Sequence, residues 1–307
     1  MRKGFILVGL LILTAFCPVT SVALPATTLE GGVVFGGQWS EANVTDSSVE
    51  NLSDLPSIVE ILTATWCGNC VTVEHAFEEV SENVSIQQYH VHRAINEPSD
   101  PLGSEAVNQR FYDRYGVVYT YEDNNYNMYP PASAINGTTF KYGSVTDYDS
   151  LTAEFTDLVQ EPLQLGNGTS VFSWTPTSNT TGTVAWALDI DLAQFGEGVL
   201  TVNAWVVEHS ANFEEGTNGL GDYPHVVRGI VELGKSLTGT STITLPPAYD
   251  GNDLSVHLVY EVNMPVVEDP PAESEEEERA LPAASLLATG TVLLVAAARR
   301  ESDTRNE

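Results

Sequence analysis

Ser57-Ile58-Val59-Glu60-Ile61-Leu62-Thr63-Ala64-Thr65-Trp66-Cys67-Gly68-Asn69-Cys70 is the stretch whose pattern decides the fold. Its first half is rich in β-branched and apolar residues and reads as a strand from Ser57 to Thr65. It runs without a break into Trp66-Cys67-Gly68-Asn69-Cys70. From Cys70 to Val80 the apolar residues Val71, Val73, Ala76, Phe77 and Val80 recur at helical spacing. A strand that feeds a Cys-x-x-Cys at a helix start brings chemistry there. The first helical turn has unpaired N–H groups and a partial positive charge, and both favour a thiolate on Cys67. The thiolate is the species that attacks a disulfide. Cys70, one turn later, is close enough to resolve the product of that attack by forming the Cys67–Cys70 disulfide. Trp66 gives an apolar flank, and Gly68 and Asn69 set the local charge environment and so help set the potential.

Outward from this stretch, Ile86 to His92 alternates as a strand and Ser104 to Tyr115 reads as a helix. Met128-Tyr129-Pro130-Pro131 breaks the chain. Ala132 to Ile135 and Thr138 to Tyr142 flank Asn136-Gly137 and predict a hairpin with a two-residue turn. Asp147 to Val159 predicts a helix with Thr146 or Asp147 as its N-cap. The predicted order is β-α-β-α-β-β-α. After Pro162 the pattern changes: Ser170–Trp174, Gly182–Leu188, Leu200–Glu208, His225–Leu233, Ser241–Leu245 and Leu254–Asn263 predict strands separated by short polar turns. That spacing predicts a β-sandwich of about 100 residues.

The two ends read as targeting segments. Arg2 and Lys3 precede an apolar run from Phe5 to Phe16, and Ser21-Val22-Ala23 presents small residues for a signal peptidase. An uncleaved N-terminal anchor is the alternative. Cys17 follows Phe16 rather than a small residue, which argues against lipidation. Near the other end, Leu281 to Ala298 is free of charge, with acidic residues before it and Arg299-Arg300 after it. Eighteen residues of helix reach about 27 Å, enough to span a bilayer core. The flanking charges predict a cytoplasmic C-terminus. A tail removed by a sorting enzyme is the alternative, since Leu281-Pro282-Ala283-Ala284-Ser285 loosely matches such a signal. The expected organisation is a signal peptide at 1–23, a polar lead-in at 24–50, an α/β domain at 51–162 and a β-sandwich at 163–265. An acidic linker at 266–280, a transmembrane helix at 281–298 and a tail at 299–307 complete it. The expected localisation is the cell membrane, single-pass, with the folded part on the extracytoplasmic side.

The chain has 307 residues, 42 of them acidic and 12 basic, for a net charge of −30. Loss of Arg2 and Lys3 with the leader makes it about −32, and only Lys141 and Lys235 remain as lysines. Such a charge repels phosphates and excludes nucleic acid as a partner. It also keeps a chain soluble and monomeric. Six Asn-x-Ser/Thr sequons, at Asn43, Asn51, Asn83, Asn136, Asn167 and Asn179, are candidate glycosylation sites.

From about Ile58 to Val159 the chain resembles the thioredoxin superfamily. The resemblance implies an α/β thioredoxin-like domain whose Cys67–Cys70 disulfide is redox-active. It also implies a cis-proline opposite the cysteines, at Pro131, six residues before Gly137. The implied activity is thiol–disulfide exchange with thiols or disulfides of exported proteins, served by a membrane or soluble redox partner, with no cofactor and no metal. Four departures stand against the family pattern. Asn69 occupies a position where proline is frequent, and His75 stands where a helix-kinking proline is common. Ile61 holds the place of a buried acid, and Glu60, one residue earlier, points to the opposite strand face. Pro130 lacks the N–H that the family offers to a bound peptide, which implies a weaker grip on substrate. Leu200 to Glu208 and His225-Val226-Val227-Arg228-Gly229 resemble the second half of exported proteins that join such a domain to an immunoglobulin-like sandwich. Glu60-Ile61-Leu62-Thr63 and Asp100-Pro101-Leu102-Gly103 fit the same group, which lends no site residues. The alternative is a non-enzymatic cell-surface binding protein with an inert disulfide. A third, metallochaperone or cytochrome-maturation work, rests on the fold alone.

Other polar residues read as structural. His90 and His92 lie two apart on one strand face without a third metal ligand in view. His75, His209, His225, Arg228 and His257 read as surface or hydrogen-bonding residues. Tyr112, Tyr115, Tyr119, Tyr121, Tyr126 and Tyr129 gather ahead of Pro131, where they line either a substrate groove or a packed loop.

Overall fold

The computed structural model describes residues 23–97, 99–116 and 128–265. The described residues begin with β1 (Thr27–Thr28), β2 (Gly32–Glu41) and β3 (Asp46–Asn51). Then come β4 (Ser57–Thr63), α1 (Gly68–Ser81), β5 (Ile86–His92), α2 (Glu105–Tyr115), β6 (Ala132–Ile135), β7 (Thr139–Tyr142) and α3 (Leu151–Val159). The remainder is β8 (Thr169–Pro176), β9 (Thr181–Leu188), β10 (Val199–Asn212), β11 (Asp222–Gly234), β12 (Thr238–Thr244) and β13 (Leu254–Asn263). Helix α3 starts four residues later than the sequence predicts. Thr146 instead accepts the Tyr148 N–H in a turn, and Ser150 caps the helix by accepting the Ala153 N–H at 3.1 Å.

One sheet runs through both halves of the chain, in the order β1-β7-β6-β4-β5-β11-β10-β13-β2. A second sheet has the order β12-β9-β8-β3. Strands β4 and β5 are parallel, and β6 is antiparallel to β4. The two halves meet where β11 pairs parallel with β5, Val226 opposite His90. This corrects the expected fold class. The chain is not an α/β thioredoxin-like domain followed by an all-β sandwich. It is predominantly β, with a nine-stranded sheet shared by both halves and three α-helices among the described residues.

The expected lead-in at 24–50 contributes to both sheets: β1 pairs with β7, β2 with β13 and β3 with β8. A glycine pair hides β2 from a period-two reading. Gly37 is the extra residue where the register slips between Leu258 and Val259. Gly36, at φ 119°, lies so close to β13 that a Cβ would stand 2.5 Å from the Leu258 carbonyl oxygen. The slip breaks the alternation of the side chains on either side of it.

Three apolar clusters hold the layers. Phe35, Phe172, Trp174, Val184, Trp186, Val202, Val206, Leu258 and Tyr260 fill the space between the two sheets. Helix α2 covers the opposite face of the long sheet through Val107, Phe111 and Tyr115, against Tyr89, Trp205, Val227 and Val259. Helices α1 and α3 pack Val73, Phe77, Leu151 and Phe155 on Val59 and Ile61 of β4. Glu60 therefore faces α2 and not α1. Arg110 and the Tyr115 hydroxyl both bond its carboxylate, and Arg110 also lies 3.1 Å from Glu261 on β13.

The expected single-pass cell-membrane localisation is corrected too. Among the described residues no helix is long and apolar enough to cross a membrane. All but the last residue of the signal peptide expected at 1–23, the acidic linker expected at 266–280 and the span expected at 281–298 lie outside the described residues.

Candidate functional site

The end of β4 delivers the cysteines. Beyond Thr63 the chain turns, with the Cys67 N–H donating to the Ala64 carbonyl at 2.9 Å. Cys67 is the N-cap of α1, and the Cys70 N–H donates to Cys67 Sγ at 3.2 Å. This is the sulfur counterpart of an oxygen N-cap. Cys67 and Cys70 form a disulfide with their Cα atoms 5.3 Å apart. Cys70 is fully buried and Cys67 is 5% exposed, while Gly68 and Asn69 between them are exposed. Trp66 is half-buried against Ala64 and the two cysteines. The peptide bond between Pro130 and Pro131 is cis. Pro131 immediately precedes β6, one step beyond the Leu62–Ala132 pair.

The second half of the chain holds the turn before the cysteines, which no sequence motif announces. The Thr65 carbonyl accepts the N–H groups of Thr217 at 2.9 Å and Asn218 at 3.2 Å. The Tyr223 hydroxyl lies 3.3 Å from the same oxygen and 2.9 Å from Asn218 Oδ1. On the other side the Thr65 N–H donates to Asp100 Oδ2 at 3.0 Å. Gly216 is required in this clamp, because a Cβ there would meet the Tyr223 hydroxyl at 1.9 Å. Asp100, Asn218 and Tyr223 thus belong to the site. Asp100-Pro101 and Asn218-Gly219 are turn signals in the sequence, but nothing local says that they converge on Thr65.

Under α1 lies a polar layer. Cys70, Glu74 and Glu78 follow at helical i, i+4, i+8 spacing and share one face. Glu74 is 4% exposed and accepts the Thr63 hydroxyl. Burial raises its pKa, against the lowering effects of the Thr63 hydrogen bond and of His92. Glu78 lies 3.2 Å from His225 Nε2, accepts from Gln88, and has a lowered pKa, first because of His225. On β5, His92 is in register with Thr63. Its Nδ1 is 2.9 Å from Asp100 Oδ2, and its Nε2 is buried without a partner. His90 is buried edge-on to His225, and burial first, then His225 and His92, hold its pKa well below the ordinary value. The tyrosine of the clamp, Tyr223, is pushed up to about 12 by burial and by the carboxylates of Asp100 and Glu74. His90 and His92 therefore line the core between α1 and the sheet. Among the described residues no group of three or more His, Cys, Asp or Glu side chains is arranged to hold a metal ion.

The remaining candidates scatter. Tyr112 and Tyr115 are buried on the inner face of α2, whereas Tyr129 is exposed with the Arg93 guanidinium 5.2 Å from its ring centre. Tyr119, Tyr121 and Tyr126 lie outside the described residues. Asn43, Asn51, Asn83, Asn167 and Asn179 are exposed. Asn136 is buried and its side chain accepts the Ile58 N–H at 2.7 Å, so this sequon has no room for a glycan.

The chain is thus a protein with a Cys-x-x-Cys disulfide at a helix N-terminus. No protein-family model matches it, and no curated protein matches it. Two solved structures are distantly similar. HBP35 of Porphyromonas gingivalis is 16% identical, with 70% of this chain and 78% of that chain covered and a TM-score of 0.46. Protein AGR_C_4864 from Agrobacterium tumefaciens is 14% identical, with 70% of this chain and 96% of that chain covered and a TM-score of 0.42.

Proposed function

We propose that this protein is a thiol–disulfide oxidoreductase that acts through Cys67 and Cys70 on thiols or disulfides of other proteins. The observation that carries the reading is the Cys67–Cys70 disulfide at the start of α1, with Cys67 as the capping residue. In the reduced state the helix N-terminus stabilises a thiolate on Cys67. That thiolate attacks a substrate sulfur, forms a mixed disulfide and releases the second substrate thiolate. Cys70 then attacks Cys67 Sγ, restores the internal disulfide and releases the reduced substrate. Likeness of the Trp-Cys-x-x-Cys motif to that of the thioredoxin superfamily supports the same reading. Exported proteins are the proposed substrates, because residues 1–23 read as a secretory signal.

One observation favours an inert disulfide in a binding protein instead: both cysteines are buried. The reduction potential separates the two. Equilibration with glutathione buffers is expected to give a value between about −120 and −270 mV, the span of catalytic pairs. A value below about −300 mV, or a pair that resists exchange, sinks the oxidoreductase reading.

A further inference from the structure

The described residues open with a strap along β7. Thr27 and Thr28 pair with Phe140 and Thr139, and the Leu29 N–H donates to the Thr138 carbonyl at 2.7 Å. Without β1, β7 would be the edge of the long sheet, with unpaired backbone groups. The start of the strap is tied from inside. Lys141 of β7 is 1% exposed; its Nζ donates to the Leu24 carbonyl at 2.6 Å and lies 2.8 Å from Glu154 Oε1 of α3. Glu154 is 3% exposed, and its other oxygen, Oε2, is buried with no hydrogen-bond partner among the described residues. Buried polar atoms are almost always satisfied, and a carboxylate can only accept, so Oε2 asks for a donor.

The sequence puts the expected leader cut after Ala23, beside this carboxylate. In the uncut chain the Leu24 nitrogen is a planar amide with one N–H, whose direction the Ala23–Leu24 peptide fixes. Cutting adds water across that bond: Ala23 leaves as a carboxylate, and Leu24 gains an α-amine. With a pKa of about 7.7–8.0, that amine is protonated at neutral pH. It then has a charge, three donors and free rotation about N–Cα. We infer that Glu154 is the docking site of the mature N-terminus: the Leu24 α-ammonium donates to Oε2, while Lys141 holds Oε1 and the Leu24 carbonyl. The ligand is this chain's own amine, which exists only once the leader is removed. Because the Leu24 carbonyl and Glu154 Oε1 share one ammonium, Leu24 already stands beside the carboxylate. Ala23 is half-buried, and its departure leaves room there. One carboxylate then serves two cations, and the net charge of −30 on the chain offsets the excess. Leader removal thereby locks the strap on β7 and closes that edge of the sheet. The inference rests on the cut after Ala23 and not on the chemistry of Cys67 and Cys70.

The mass of the exported protein is expected to place its N-terminus at Leu24. Two otherwise full chains are then compared, one beginning at Leu24 and one with Ala23 retained ahead of it, each freed from a removable tag. The extra residue moves the ammonium about 3.5 Å along the chain. An acylating reagent at neutral pH attacks only uncharged amines, and each rate is referred to the same chain in urea. The Leu24 amine is expected to react about tenfold more slowly than the Ala23 amine, the effect of one unit of raised pKa. Hydrogen exchange at the Leu29 amide should slow about tenfold in the Leu24 form, as one charged hydrogen bond at the end of the strap allows. Glu154→Gln is expected to erase both differences. An N-terminus elsewhere than Leu24, equal amine reactivity in the two wild-type forms, or differences that survive Glu154→Gln overturn the docking. Should Glu154→Gln not fold, the two wild-type forms still decide by their amine reactivity.

Discussion

Replacing Arg110 by methionine removes the one cation that the Glu60 carboxylate touches among the described residues. Arg110 lies on α2 and binds Glu60 of β4 through Nη1, while Nη2 is 3.1 Å from Glu261 of β13. Its guanidinium also sits 4.7 Å from the Trp205 ring centre. Burial opposes the Arg110 charge, but Glu261 and Glu60 outweigh it and raise its pKa, so the cation persists at every working pH. Methionine keeps the stem and loses the charge. Glu261 retains Arg114 at 3.3 Å and Asn203 at 3.0 Å. Among the described residues Glu60 retains the Tyr115 hydroxyl and no positive group. Breaking a buried pair from one side costs about 3–5 kcal/mol, and the lost cation–π contact about 1 kcal/mol more. With a urea slope of about 2–3 kcal/mol/M, the unfolding midpoint falls by more than about 1 M. Tryptophan fluorescence in a urea series at pH 7 measures this. Arg110→Met with Glu60→Gln is expected to recover part of the loss, because no charge is then stranded. A single-variant loss under about 1 kcal/mol, or a double variant no better than the single, refutes the reasoning.

Three other outcomes are expected. His90 and His257 both have pKa values held well below the ordinary one, first by burial. The unfolded chain therefore binds protons that the folded one refuses, and stability is lost as pH falls below about 6.5, by up to about 1.4 kcal/mol per pH unit for each group. Urea midpoints between pH 7 and pH 5 should fall less steeply for His90→Gln; an unchanged slope counts against it. Gly36→Ala should destabilise by about 1–3 kcal/mol through its left-handed backbone and the Cβ contact with Leu258, read as a lower melting temperature. In a glycosylating host, mass spectrometry should find sugar on sites drawn from Asn43, Asn51, Asn83, Asn167 and Asn179. Occupancy at Asn136 would contradict its buried bond to Ile58.

Much of the local structure between Ser57 and Val159 is legible in the sequence, because each element there carries its own period and each boundary its own breaker. The cysteine pair is legible for the same reason: strand, motif and helix are contiguous. What is not legible is whatever depends on distant partners. The joint between β5 and β11 rests on one in-register pair, Val226 with His90, and leaves no local pattern. The β2 strand is masked by Gly36-Gly37. Glu74 looks like a solvent-facing helix position until β5 is seen to lie beneath it. One signal was present: Tyr89, His90, Val91 and His92 are all buried, and a strand with apolar residues on one face and histidines on the other is packed on both sides. The Thr65 clamp has no sequence signature, since its two loops lie more than a hundred residues apart.

The pairing of β2 with β13 has a consequence for how the chain is made. Gly32, near the start of the described residues, finds its partner at Asn263, near their end. A strand synthesised early must therefore wait, unpaired, until nearly all the rest has emerged. Sheets assembled from such remote segments fold slowly and leave edges open to neighbouring chains meanwhile. Helpers that guard nascent strands matter more to this protein than to one whose neighbours in space are neighbours in time. By the same logic, a late-stalled ribosome releases a product that lacks β13, and with it the strand that ties β2 to β10 in the long sheet.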